Sequence, residues 1–103
     1  MKNIDYQELQ DWIKQGKIFQ LIDVREQDEH DTFNIGGTLT PLSIFVKTTE
    51  LDTSTPLVIY CKRGIRSQIA IQRLTSRFPE ADFYNLKNGI LDLLNISQNP
   101  DFH

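Results

Sequence analysis

Apolar positions along this chain fall into two periodicities, and the switches between them mark its elements. Tyr6, Leu9, Trp12 and Ile13 recur at the spacing of one helical face, and Gly16 closes that segment. The segment opens on a cap. Asp5 stands three residues before Glu8, with Ile4 ahead of it and Leu9 four residues beyond, the arrangement of a capping box with a hydrophobic staple. Trp12 shares the apolar stripe, which assigns it to the core rather than to a ligand platform. Ile18 to Val24 is a short apolar run interrupted only by Gln20 before Asp23, and it reads as a buried strand. Leu57-Val58-Ile59-Tyr60 is a second such run, preceded by the loop Asp52 to Pro56, and Asp82 to Leu86 is a third. Leu39 to Val46 contains Pro41, which predicts an edge strand running into a short helical turn.

Helical spacing returns after residue 67. Ala70, Ile71, Leu74 and Phe78 share a face that docks on the sheet, Gln68, Gln72, Arg73 and Arg77 lie off it, and Pro79 ends the helix. Ile65 and Ile69 point elsewhere, toward another part of the chain, a partner or solvent. Asn88-Gly89 is a turn into a last helix around Ile90 to Ile96, and Glu26 to Asp31 is a short polar surface helix or turn. Helices alternating with short apolar strands predict an α/β sandwich whose central sheet is mainly parallel. No internal repeat or low-complexity tract interrupts that alternation.

Length and composition narrow the picture. With 103 residues, 39% of them hydrophobic and 10% aromatic, the chain is expected to form one folded domain over 1–103. The N-terminal residues lack an apolar signal segment, and no stretch has the length of a membrane helix, so the expectation is a soluble, unprocessed, cytoplasmic protein. A single cysteine can form neither an internal disulfide nor a cysteine-rich zinc site. The net charge of −3 argues against general affinity for nucleic acid.

Charge is unevenly placed, and that unevenness points to the chemistry. Thr53 to Pro79 holds Lys62, Arg63, Arg66, Arg73 and Arg77 and no acid, leaving 6 basic residues against all 14 acidic ones elsewhere. Within it, Cys61-Lys62-Arg63-Gly64-Ile65-Arg66-Ser67 joins the apolar strand to the helix. A sulfur at that junction faces unpaired backbone N–H groups and the positive end of the helix, and the adjacent cations favour thiolate over thiol. A lone cysteine ending a buried strand is often just a small core residue. A core residue has no use for the glycine and three cations beside it, whereas an anion-binding turn does. Cys61 is thus the candidate nucleophile, and residues 62 to 67 its cradle. Parallel pairing of the first two runs would bring Asp23 and Cys61 to one sheet edge, where open α/β folds bind ligands. There Asp23 is expected to accept hydrogen bonds from Arg66 or from loop N–H groups, the alternative being an ordinary strand-end ion pair. Arg25 would add charge or pair with Glu26 or another acid. His30, flanked by Glu29 and Asp31, reads as a solvated surface histidine, and an ionised cysteine needs no general base.

Three motifs resemble those of single-domain rhodaneses. The loop Cys61 to Ser67 is similar to that family's Cys-x-x-Gly-x-Arg-Ser loop, Asp23-Val24-Arg25-Glu26 to its Asp-Val-Arg-Glu strand end, and Asn85-Leu86-Lys87-Asn88-Gly89-Ile90 to its Asn-Leu-x-Gly-Gly-Ile turn. They occur in family order and spacing over nearly the whole chain. Asn34 stands where the family usually has histidine, Thr38 where it has alanine, and Leu91-Asp92-Leu93-Leu94 follows the turn where a tryptophan is usual. The resemblance implies a rhodanese-like three-layer sandwich and a sulfurtransferase of the thiosulfate type. Cys61 would be the catalytic residue, with Lys62, Arg63, Gly64, Ile65, Arg66 and Ser67 binding substrate and Asp23 and Arg25 supporting. It implies no metal and no organic cofactor. The expected partners are a small anionic sulfur donor such as thiosulfate and a thiol acceptor, which could be a protein thiol.

Two other classes share this topology. Cdc25-type protein phosphatases carry a Cys-x-x-x-x-x-Arg loop sized for phosphate. Here the fifth residue after Cys61 is Arg66 and the sixth is Ser67, so the loop is one residue shorter. Non-catalytic rhodanese-like modules for interaction or redox sensing typically lose the cysteine that this chain keeps.

Overall fold

The computed structural model describes residues 2–97, and His103 lies outside them. Five strands, β1 (Lys2–Ile4), β2 (Gln20–Asp23), β3 (Thr38–Leu39), β4 (Leu57–Tyr60) and β5 (Phe83–Leu86), form one sheet in the order β1-β5-β4-β2-β3. Every pairing is parallel. Four helices connect them, α1 (Tyr6–Lys14), α2 (Gln27–Thr32), α3 (Leu42–Phe45) and α4 (Ile65–Thr75), and α5 (Leu91–Ser97) follows β5. Because parallel strands need crossovers, helices cover both faces and the central strand is apolar on each side. All four residues of β4 are buried.

Period-two alternation along β4 splits the core into two layers. Leu57, Ile59 and Cys61 face one side with Phe45 of α3 and Ala70, Ile71 and Leu74 of α4; Phe78 packs at its margin. Val58 and Tyr60 face the other side with Ile4, Leu9, Leu86 and Ile90, against which Trp12 and Leu93 pack. The sheet between two helical layers is the three-layer sandwich expected. Trp12 is core, meeting Phe19 and Tyr84 edge-on at centroid separations of 5.5 and 5.0 Å.

Several boundaries differ from the sequence reading. The capping box at Asp5 forms as expected, with the Glu8 N–H donating to Asp5 Oδ1 at 2.8 Å. The helical stripe behind it is narrower: Leu9 is buried and Trp12 packs inward, whereas Tyr6 and Ile13 are exposed. Ile18 lies outside β2 and is 77% exposed, since the strand begins at Gln20. β1 is an addition, a short edge strand with only Ile4 buried. The break at Pro41 is as expected, two residues of edge strand followed by the α3 turn.

Candidate functional site

Register fixes the site. Asp23 lies opposite Tyr60, so β2 and β4 end side by side and their next residues share one edge of the sheet. Cys61 follows β4 and is 1% exposed, a member of the α4-side core as a small hydrophobe would be. Its sulfur nevertheless accepts hydrogen bonds. The Gly64 N–H donates to Sγ at 3.1 Å and the Ser67 N–H at 3.5 Å. Gly64 is the residue before α4 and has φ of 86°, the left-handed conformation that turns its N–H back toward the sulfur and that a side chain would strain.

Ser67 and Asn85 complete the wall behind the sulfur, and both are buried. Ser67 Oγ lies 3.4 Å from Sγ and also meets Asn85 Oδ1 in a very short contact. A hydroxyl has one proton. Given to Asn85, it leaves an oxygen lone pair suited to a thiol; turned to the sulfur, it suits a thiolate. Asn85 Nδ2 in turn donates to Asn3 Oδ1 at 3.3 Å. Asn85 was no candidate at the outset, although an amide within an otherwise apolar strand was the available signal.

The turn at Asn88-Gly89 clasps the loop from below. The Ile90 N–H reaches the carbonyls of Cys61 and Lys62 at 3.2 and 3.0 Å. A Cβ on Gly89 would sit 2.5 Å from the Cys61 oxygen and 2.4 Å from that of Lys62, so only glycine permits the approach. Asn88, where the family usually has a second glycine, takes positive φ of 64°, which asparagine tolerates better than most residues.

At this edge the alternative holds, an ion pair at the strand end between Asp23 and Arg25. Asp23, fully buried, accepts from neither Arg66 nor the cysteine loop. It takes the Arg25 backbone N–H at 2.9 Å and the Arg25 side chain through Nε (3.0 Å) and Nη2 (2.9 Å). Arg25 is therefore a buried strut rather than a substrate cation: it is 2% exposed, donates also to the Phe33 carbonyl at 2.6 Å, and lies 5.7 Å from the Tyr60 ring centroid. His30 is not a solvated histidine; its Nδ1 lies 2.8 Å from Asp23 Oδ2 and its side chain is 20% exposed. Burial alone would push the Asp23 carboxyl up, but hydrogen bonds from Arg25 and His30 outweigh it and hold the group below its usual range. Asn34 supports this segment, its amide bonding the His30 carbonyl at 2.9 Å and the Gly36 N–H at 2.8 Å.

Arg66 turns away from Asp23 to Glu29 of α2, Nη1 to Oε1 at 2.7 Å and Nη2 to Oε2 at 2.9 Å. The guanidinium holds the Glu29 carboxyl down at about 2. Lys62 and Arg63 have no ion-pair partner among the described residues. Together with Cys61, Ile65 and Arg66 they line a pocket of about 210 Å³. Ile65 is 62% exposed at its rim. No group of three or more metal-binding side chains occurs among the described residues, and none of their helices is long and apolar enough to cross a membrane.

A cysteine on a hydrogen-bonding loop between the central strand of a parallel sheet and a helix defines a class of thiol-bearing α/β domains. This chain belongs to the rhodanese-like domain family, whose model matches residues 5–95. It is 34% identical over 88 residues to the probable adenylyltransferase/sulfurtransferase MoeZ of Mycobacterium tuberculosis, covering 82% of this chain and 22% of that protein. It is 33% identical over 97 residues to the adenylyltransferase and sulfurtransferase MOCS3 of Drosophila grimshawi, covering 84% and 20%. The chain thus spans about a fifth of the length of these relatives. A rhodanese-like domain protein from Staphylococcus aureus superposes with a TM-score of 0.75 at 25% identity, over 87% of this chain and 88% of that one. The human single-domain sulfurtransferase TSTD1 gives 0.74 at 21%, over 92% and 96%, a likeness of fold.

Proposed function

We propose that this domain is a sulfurtransferase that carries sulfane sulfur on Cys61 as a persulfide. The observation that carries the reading is the seat of the Cys61 sulfur. Two backbone N–H groups point at Sγ from the start of α4, and Cys61 lines a pocket with Lys62, Arg63 and Arg66. N–H donors fixed in place favour an anionic sulfur and cost no reorganisation when charge develops. The thiolate attacks the outer sulfur of a donor, the donor's S–S bond breaks, and the leaving group departs with the electron pair. With thiosulfate the leaving group is sulfite. A thiophile such as cyanide, a small thiol or a protein thiol then attacks the outer sulfur of the persulfide and regenerates the Cys61 thiolate, which makes the kinetics ping-pong. Because Cys61 is almost fully buried beside a pocket of about 210 Å³, an acceptor must be small or present its thiol on a narrow projection.

Intact-protein mass spectrometry after incubation with sulfane donors tests the reading. One added sulfur, about 32 Da, should appear on the wild type, disappear with dithiothreitol or cyanide, and be absent from Cys61→Ser, as a covalent intermediate requires. Absence of the adduct with thiosulfate and with an organic persulfide would overturn it. An aryl phosphate offered to the same sample should not be hydrolysed.

A further inference from the structure

Resting on that reading, we infer that Glu29 sets the charge of the donor, and that the preferred donor is an organic persulfide rather than dianionic thiosulfate. Arg66 is the cation that the cysteine loop itself supplies at the first turn of α4, and both ends of its guanidinium are occupied by the Glu29 carboxylate, at 2.7 and 2.9 Å. The fork spends two of its five N–H donors on that carboxylate, and its charge is matched before any second oxyanion arrives. The carboxylate sets a full negative charge directly against Arg66, which lines the pocket, so the pair contributes little net field to a ligand at Sγ. Only Lys62 and Arg63 remain unpaired among the described residues lining the pocket. A second pocket that shares Lys62 is lined by Asp28 and Glu29 as well as Arg25, and Arg25 is neutralised by Asp23. The basic pocket at the sulfur therefore adjoins an acidic one through Lys62.

That distribution separates donors by charge. Attack of a thiolate on thiosulfate gathers three negative charges, one from Cys61 and two from the donor, and all three remain after the step, shared between the persulfide anion and sulfite. Attack on a hydropersulfide R–S–SH gathers one: the proton travels with the transferred sulfur to give Cys61–S–SH, and R–S⁻ leaves with the electron pair. Two unpaired cations suffice for the second step, whereas the first also needs Arg66. Glu29 acts through Arg66 and is a positioning residue.

The test compares single-turnover loading of Cys61 from thiosulfate and from cysteine persulfide, followed by intact mass, in the wild type, Glu29→Gln and Glu29→Asp. Glu29→Gln keeps an oxygen to accept the Glu26 N–H, now bonded at 3.1 Å, while removing the charge. The expected result is a loading rate from thiosulfate raised about 10-fold, the scale of removing one nearby charge at a partly solvated site, with the persulfide rate changed less than about 2-fold. Glu29→Asp, which retains the charge, should keep the wild-type preference. A purely structural role would move both donors together in Glu29→Gln, and an unchanged ratio overturns the inference. Failure of both donors to load any of the three proteins would instead overturn the sulfurtransferase reading, and this inference with it.

Discussion

The ends of β2 and β4 lie side by side at one edge of the sheet and use charge in opposite ways. At the end of β2, Asp23, Arg25 and His30 are drawn into a closed cluster in which the acid takes a guanidinium, a backbone N–H and an imidazole. At the end of β4 the hydrogen-bonding groups converge on a sulfur that opens onto a pocket, and two cations stand there without partners among the described residues. The difference lies in where the chain turns. After Asp23 the backbone folds back so that Arg25, two residues on, reaches the same carboxylate with both its N–H and its side chain. After Cys61 a left-handed glycine throws the chain outward into α4, and Lys62 and Arg63 are left facing the pocket. A cluster that satisfies itself builds a wall; one left incomplete can bind a ligand.

The largest effect expected from breaking this contrast is at the wall. Asp23→Asn leaves the Arg25 guanidinium, 2% exposed, without its counter-charge. Removing one partner of a buried ion pair costs about 3–5 kcal/mol, because the remaining charge stays desolvated. Urea denaturation should show a loss on that scale, and a loss below about 1 kcal/mol would mean that the Phe33 carbonyl and the Tyr60 ring hold Arg25 unaided. Next in size is Gly89→Ala. Its Cβ would lie 2.4–2.5 Å from two loop carbonyls, at φ of 61°, so the turn must withdraw and the Ile90 N–H must release the loop. A stability loss of roughly 1–3 kcal/mol is expected. Unlike Asp23→Asn, this variant should also slow persulfide loading of Cys61 in protein that is still folded, because the clasp fixes the loop that aims the Gly64 N–H. Normal loading in a destabilised variant would show that the loop keeps its shape without the clasp.

Much of the site was legible in the sequence because its parts are local. The cysteine, the glycine and the first turn of α4 lie within seven residues, and their geometry follows from a strand, a turn and a helix in succession. The adjacency of Asp23 and Cys61 was legible too, since parallel strands bring like ends together. Pairings between side chains were not. Asp23 was expected to meet Arg66 or the loop N–H groups, with a strand-end ion pair as the alternative, and what decides for the ion pair is Glu29, which draws Arg66 toward α2. His30 was misread from its neighbours: Glu29 and Asp31 suggested solvent, yet successive helical residues point about 100° apart, so acidic neighbours on a helix do not fix the direction of the residue between them. β1 escaped notice because only one of its three residues is buried, and because its partner in the sheet is β5, with Lys2 paired to Tyr84 at the far end of the chain. Asn85 escaped because its value is to Ser67, which the chain alone does not place beside it.

The smallest expected effect concerns the pair that links the two strand ends, Glu29 and Arg66, with side chains 28% and 33% exposed. Arg66 holds the Glu29 carboxyl at about 2, against 4.5 for an unperturbed glutamate. A carboxyl depressed by folding contributes stability that is fully present above its unfolded value and is lost as pH falls through the folded one. The contribution of this pair should therefore be constant above about pH 5 and fade between 4.5 and 2. Partial exposure keeps it small, on the order of 1 kcal/mol or less. Asp23, also depressed, loses its contribution in the same direction, so the wild-type acid limb alone does not isolate Glu29. The difference between wild type and Glu29→Gln does, because Asp23 is common to both. That difference should be greatest near neutrality and vanish toward pH 2, whereas one that persists unchanged into acid would assign the contribution to packing of the Glu29 stem rather than to its charge.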